Sequence, residues 1–473
     1  MVKKQTIKTA VDVIIMAAGK GTRMKSRLPK VLHRLAGRAL VAHVIDRVAG
    51  LDARQVIVVT GHGAAEVEAA LTRLADDGGT AIPTFVRQMP QLGTGHAVQQ
   101  ALPVLPDDGI ALILNGDVPL IETATLQSLV DSCGGTRLAL LTALMPDPAG
   151  YGRVLRDGAA VQAIVEQKDA TDAQRAIGEV YTGFMAVPNQ LLKRWLSRLT
   201  NDNAQGEYYL TDLVRLAVED DAEVVAVTTA DTVQVDGVNS PLQLAQLERA
   251  SQLRQAQALM EQGVRLADPA RFDLRGRLAC AQDVEIDVNC VFEGHVTLGE
   301  GVRIGANCVI ANANLAAGVV VQPFTHIDGE QAGVRIGENA RIGPFARLRP
   351  GADLGPDVHI GNFVEVKNST LGRGAKANHL AYLGDASVGE RVNYGAGSIT
   401  ANYDGANKHR TVIGDDAHIG SNCVLVAPVT IGRGGTVGGG STITRDTPED
   451  ALSVARGKQV SITRWQRPKK AGA

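Results

Sequence analysis

Aromatic residues are scarce in this chain: Trp, Tyr and Phe together fill 3% of its 473 positions, while glycine fills 52 of them. Few rings and many glycines suit a solenoid, whose narrow interior takes Val, Ile, Leu and Ala and whose corners need compact residues. Cysteine is also thin. Cys133, Cys280, Cys290, Cys308 and Cys423 are scattered, odd in number and form no C-x-x-C pair, so neither a disulfide framework nor a zinc site is expected. Long apolar runs are missing as well. The N-terminal stretch VIIMAA ends in glycines and charges, too short for a signal h-region or a membrane span. Neither sign of charge dominates, since 48 Lys plus Arg against 50 Asp plus Glu leave a formal charge of −2. That balance gives no global pull toward nucleic acid or an anionic membrane. The expectation is a soluble protein in the reducing cytoplasm, with no membrane insertion and no nucleic-acid partner.

The pattern that is present divides the chain. Short apolar runs at 11–16, 56–59 and 111–114 alternate with stretches of helical spacing, which predicts a doubly wound α/β sheet. Ligands of such sheets bind beyond the carboxyl ends of the strands, so the loops after Met16 and Leu114 are the first candidates. At 241–263 the sequence turns rich in Leu, Gln, Ala and Glu, with Pro241 at its start and Gly263 after its end, the signals of a linking helix. Beyond about residue 284, aliphatic residues often followed by Gly recur every six positions, as in Ile336-Gly337, Ile342-Gly343 and Leu348. Three six-residue sides closing a triangular coil would stack these aliphatics inside a parallel β-helix. The polar segment at 400–411 breaks the register and is expected to loop outward. The predicted domains are therefore 1–240, a linker helix at 241–263, and a β-helix with a C-terminal tail at 264–473.

Residues 16–30 read MAAGKGTRMKSRLPK. Gly19 and Gly21 allow close approach of backbone to a phosphate, and successive N–H groups in such a turn form an anion nest. Arg23 and Lys30 add cationic donors for an oligophosphate. Taken alone, such a turn serves equally well as a tight connection. Asp117 follows the run ALIL and belongs at a strand's C-terminal end. Its carboxylate is a hard oxygen ligand suited to Mg²⁺ on a nucleoside triphosphate, or a simple turn cap.

The whole string resembles the signature G-x-G-T-R-M-x5-P-K of sugar-phosphate nucleotidylyltransferases, here at 19–30. QLGTGHA at 91–97, NGDVPL at 115–120, GYGR at 150–153, IVEQKDA at 164–170, NAQGEYYLTD at 203–212 and DGVN at 236–239 resemble the branch that makes UDP-N-acetylglucosamine. The resemblance implies attack of a sugar-1-phosphate oxygen on the α-phosphorus of UTP, with release of pyrophosphate. It implies Mg²⁺ held by Asp117 and Asn239, and uracil read by Gln88, Gly93 and Thr94. Gly152 and Glu166 would hold the sugar. Met16, Ala17, Ala18, Asn115, Gly116 and Tyr181 complete the implied substrate contacts. Tyr181 is a departure, because the family usually has Asn before the T-G of this segment.

In GNFVEVKNS, Glu365 and Lys367 share a strand face while Val364 and Val366 point inward. Arg349 precedes them; His379, Tyr382, Asn393, Asn402 and Tyr403 follow. An amine nucleophile must lose a proton to attack a thioester, and His is the side chain matched to take it near neutral pH. Arg349 and Lys367 could fix a sugar 1-phosphate and Glu365 the amine. An isolated surface His is more often without a role.

This block resembles the acetyltransferase half of bifunctional enzymes that acetylate glucosamine 1-phosphate and then uridylylate the product, for peptidoglycan and lipopolysaccharide precursor synthesis. By that resemblance the coil is a left-handed β-helix with His379 as the base, and Arg349, Lys367, Tyr382 and Asn393 bind the sugar phosphate. Ala396, Asn402, Tyr403, Ser421, Gly439 and Arg456 contact acetyl-CoA. The family packs as a homotrimer whose acetyl-CoA sites use more than one subunit. Lys408, His409 and Arg410 are expected at a solvated loop tip. Two rival readings are a nucleotidylyltransferase whose coil only assembles or regulates, and a scaffold without catalysis.

Overall fold

The computed structural model describes residues 9–76 and 81–468. The chain forms two compact units that divide between Ser251 and Gln252.

In the first unit Val11–Ala17 and Ile110–Asn115 are buried on both faces, as their unbroken apolar character requires. Val13, Ile15, Leu112 and Leu114 enter one core cluster, and Ile14, Ala111 and Ile113 the cluster on the opposite face. Helices Leu40–Val48 and Thr123–Cys133 cover the first face through Val41, Val44, Leu126 and Leu129. Helices Asn189–Leu196 and Asp212–Glu219 cover the second through Leu192, Trp195, Leu213 and Val214. The strands run in the order Val224–Thr229, Leu138–Leu144, Glu179–Pro188, Ile110–Asn115, Val11–Ala17, Gln55–Thr60, Thr84–Arg87. All neighbours on this path are parallel except Glu179–Pro188, which is antiparallel on both sides. A hairpin of Gly152–Asp157 and Ala160–Val165 extends from that strand. This is the doubly wound α/β sheet, and its parallel strands deliver their carboxyl ends to one edge.

The second unit is a parallel β-helix. One stack of interior residues runs Ile286, Ile304, Val321, Ile342, Ile360, Ala377, Tyr394, Ile419, Val437, each in register with the next. A second runs Ile310, Ile327, Leu348, Val366, Leu383, and a third Leu315, Ile336, Leu354, Leu371, Val388, Ile413, Ile431. All are buried, and full burial of such a side chain contributes about 1.5–3 kcal/mol before entropy is counted. Corners take left-handed backbone, and Asn307, Asn339, Asp357 and Asn422 occupy it, because a short polar side chain tolerates that conformation. The 400–411 segment does loop outward: Tyr403 bridges Lys408, and Asp404 accepts from the backbone N–H of Ala406 and Asn407.

Helix Pro241–Glu261 spans the division between the units. Its Leu247 packs in the first unit with Met24, Leu35, Leu40 and Val238, whereas Ala256 and Leu259 enter the core of the second.

Two candidate active sites

The 19–30 turn leaves the carboxyl end of Val11–Ala17 and is tethered by Met24, whose side chain is buried against Leu35 and Leu40. Gly21 has φ +57°, and a Cβ there would stand 2.7 Å from the Cβ of Lys30. Glycine is required twice over, for the left-handed backbone and for the passage of the lysine stem. Lys30 donates to Asp117 Oδ2 in a very short contact and to Asn239 Oδ1 at 3.2 Å. The backbone N–H of Val238 donates to the carbonyl of Asp117 at 2.9 Å, and that of Asn239 to Gln243 Oε1 at 2.9 Å. Residues far apart in sequence thus converge on one cation.

Two adjoining cavities meet here, sharing Met16, Thr94, Asn115 and Asp117. The cavity of about 550 Å³ also takes Ala17, Ala18, Gly19, Gly21, Lys30, Gln88 and Gly93. The cavity of about 300 Å³ adds Arg23, Gly152, Glu166, Tyr181 and Asn239. Gly116 lines neither; its N–H donates to the carbonyl of Met16 at 3.0 Å, tying the two strand ends together. Gln88 is buried and donates to the carbonyl of Gly93 at 2.9 Å. Gly93 has φ +109°, and a Cβ there would run into the carbonyl of Tyr208 at 2.6 Å. Glu166 accepts from the Thr211 hydroxyl at 3.0 Å; burial pushes its carboxyl up, and that hydrogen bond opposes the shift. Tyr181 faces Gly152 across the antiparallel pair. Among the described residues its buried hydroxyl has no hydrogen-bond partner, and burial, then the Glu166 charge, hold it well above the usual phenol range. Thr211 and Gln243 were missed by the sequence reading, since neither carries a distinctive signal outside its contact.

On the coil, His379 stands in register with Asn362 one turn earlier. With the Asn362 carboxamide oxygen turned to the ring, Nδ1 donates to it at 2.8 Å and Nε2 is left as the acceptor. Asn362 was likewise missed. Backbone hydrogen bonds from Gly397 to His379, Asn422 to Ala396 and Gly440 to Ser421 place His379, Ala396, Ser421 and Gly439 along one corner of successive coils. Arg456 closes this column by donating to the carbonyl of Gly439 at 2.6 Å. A cavity of about 390 Å³ beside His379 is lined by Asn362, His359, Phe345 and Phe363.

Arg349 donates to Glu365 Oε1 at 2.8 Å, and Glu365 stands in register with Tyr382 on the next coil. Lys367 carries a depressed pKa, chiefly because Lys408 lies beside it, then through burial and Arg349, with Asp385 opposing. The 400–411 loop therefore returns Lys408 to the Lys367 face. Not every expected residue joins this group. Asn393 lies on the preceding face, with its carboxamide 3.2 Å from His418 Nε2. Asn402 is buried and donates to Asp385, while the exposed Tyr403 donates to the carbonyl of Gly405 at 2.6 Å. Among the described residues no group of three or more His, Cys, Asp and Glu is placed to hold a metal ion.

The fold and the two sites define a transferase in two parts. Residues 13–180 match the MobA-like NTP transferase domain, and 333–368 and 410–445 match the bacterial transferase hexapeptide repeat. Bifunctional protein GlmU of Paracidovorax citrulli is 72% identical, covering 98% of this chain and 99% of the relative. That of Polaromonas naphthalenivorans is 72% identical over 97% and 98%, and that of Cupriavidus pinatubonensis 56% over 97% and 99%. The chain belongs to the GlmU family of bifunctional proteins. Its acetyltransferase and uridylyltransferase activities together yield UDP-N-acetylglucosamine.

Proposed function

We propose that residues 264–473 acetylate glucosamine 1-phosphate at His379 and that residues 1–240 couple the product to UTP in the paired cavities, with 241–263 as the linker. The observation that carries this reading is the convergence of Lys30, Asp117 and Asn239 where the two cavities meet. In the first reaction the sugar amine attacks the thioester carbonyl of acetyl-CoA, and His379 Nε2 takes the amine proton as the C–S bond breaks and CoA leaves. Asn362 supports that role by holding Nδ1 protonated. Arg349 and Lys367, with Lys408 beside them, supply the positive charge for the sugar phosphate. In the second reaction a phosphate oxygen of N-acetylglucosamine 1-phosphate attacks the α-phosphorus of UTP, and the bond to pyrophosphate breaks. Glycine N–H groups of the 19–21 turn, Arg23 and Lys30 are placed to neutralise the oligophosphate.

Asp117 and Asn239 fit Mg²⁺, because both present hard oxygens that already share one cation, the Lys30 ammonium. When bound, the ion supplies further charge neutralisation on the phosphates. Five unpaired cysteines and the need for UTP and acetyl-CoA favour the cytoplasm as the working compartment. The product would feed peptidoglycan and lipopolysaccharide precursors.

The two sites are separable. His379→Ala should abolish acetyl transfer and leave uridylyl transfer within about twofold, whereas Asp117→Ala should do the reverse. Mass spectrometry reads the first activity in reactions given glucosamine 1-phosphate and acetyl-CoA, and the second in reactions given N-acetylglucosamine 1-phosphate, UTP and Mg²⁺; a folded variant losing both activities would refute the division.

A further inference from the structure

Lys30 has two anionic destinations and occupies only one. Its ammonium group donates to Asp117 Oδ2 and, at 3.2 Å, to Asn239 Oδ1, and the Lys30 and Asp117 side chains are each 16% exposed, so water screens the pair poorly. The backbone hydrogen bonds of Val238 and Asn239 present these oxygens from fixed positions. Lys30 and Asp117 both line the cavity bordered by Gly19, Lys20, Gly21 and Thr22. A divalent ion and an ammonium group seek the same hard oxygens, and both cannot stand between Asp117 and Asn239 at once.

We propose that Lys30 is a built-in occupant of the cation site. In the nucleotide-free enzyme its ammonium group closes Asp117 and Asn239 to a divalent ion, and a triphosphate in the 19–22 turn draws the lysine away and opens the pair. The inference rests on the reading of that turn and that pair given above. Ion and nucleotide then bind cooperatively, each strengthening the other by the same factor. The ion by itself binds weakly because it must first displace a charge-assisted hydrogen bond, worth about tenfold in an equilibrium constant.

Mn²⁺ is the probe, counted by the paramagnetic resonance signal of the free ion, with the full-length chain and no nucleotide. Lys30→Met, which keeps the apolar stem, should bind Mn²⁺ about tenfold tighter than the parent and bind UTP more weakly. Circular dichroism and an unchanged unfolding midpoint show that the variant is folded. If Lys30→Met does not fold, Lys30→Gln decides on the same criterion. Mn²⁺ binding that is unchanged or weaker in a folded variant overturns the proposal. Adding Asp117→Asn to Lys30→Met should erase the gain; a gain that survives it would refute the ion assignment itself. No gain from Lys30→Met, together with UTP-dependent Mn²⁺ binding that Asp117→Asn removes, would leave that assignment standing and refute the exchange.

Discussion

Asn362 and His379 come from successive coils, and with the carboxamide oxygen facing the ring the hydrogen bond between them leaves Nε2 to accept a proton. Asn362→Leu keeps the volume and removes that bond. We expect acetyl transfer to fall about ten- to a hundredfold, as misoriented groups do, with a displaced pH–rate profile and unchanged uridylyl transfer. An unmoved pH profile would deny Asn362 the orienting role. Tyr181 makes the opposite kind of statement. Its hydroxyl is buried and has no partner among the described residues, and an unmet buried polar group carries a penalty. Tyr181→Phe should therefore stabilise the free protein by about 1 kcal/mol, seen as a higher denaturant midpoint; a lower midpoint would reveal a hidden partner. The sequence shows Tyr181 as a departure from the family pattern, but its unmet hydroxyl follows from packing against Gly152 and beside Glu166.

At the scale of elements, periodicity carries the coil almost completely. The interior positions read from the six-residue repeat, such as Ile336, Ile342 and Leu348, are buried, because an aliphatic in a closed triangular coil has nowhere else to point. The aromatics are where periodicity is silent. Phe324, Phe345 and Phe363 stack at centroid distances of 5.0 and 5.3 Å, all exposed and all with left-handed backbone. A chain poor in rings thus spends several of them on one outer corner, beside the cavity at His379. Helix Pro241–Glu261 offers a different lesson. Its ends follow from Pro241 and Gly263, yet its attachment to the coil relies on Gln252, whose amide donates to the Leu274 carbonyl at 2.9 Å and accepts from the Leu274 N–H at 2.7 Å. Gln252→Ala leaves both backbone groups unmet in a buried setting. It should cost about 2–4 kcal/mol, measured as a lowered unfolding midpoint; a change below about 0.5 kcal/mol would show that the helix does not hold the first coil.

At the scale of the molecule, exposed His379 and Ser421 and half-buried Ala396 and Gly439 form a column along an edge of the coil. The family resemblance implies a homotrimer in which a neighbouring subunit completes this edge. Light scattering on the eluting protein should give three times the 49.7 kDa chain mass; a monomer retaining full acetyl transfer would refute the shared site. The order of the two folds, the six-residue period and the phosphate turn are legible in the chain alone, because each depends on neighbours in sequence or on a regular repeat. The sequence also marked Asp117 and His379, although their roles were readable only through family resemblance. Tertiary structure alone decided that Lys30 bridges Asp117 and Asn239, that Asn362 holds His379, that Lys408 returns to Lys367 and that Asn402 is tied to Asp385. These are contacts between side chains distant in sequence or coils apart, and no local pattern encodes which of many polar residues will meet. The phosphate turn and the coil were legible as elements; which side chains meet beside each of them was a matter of packing.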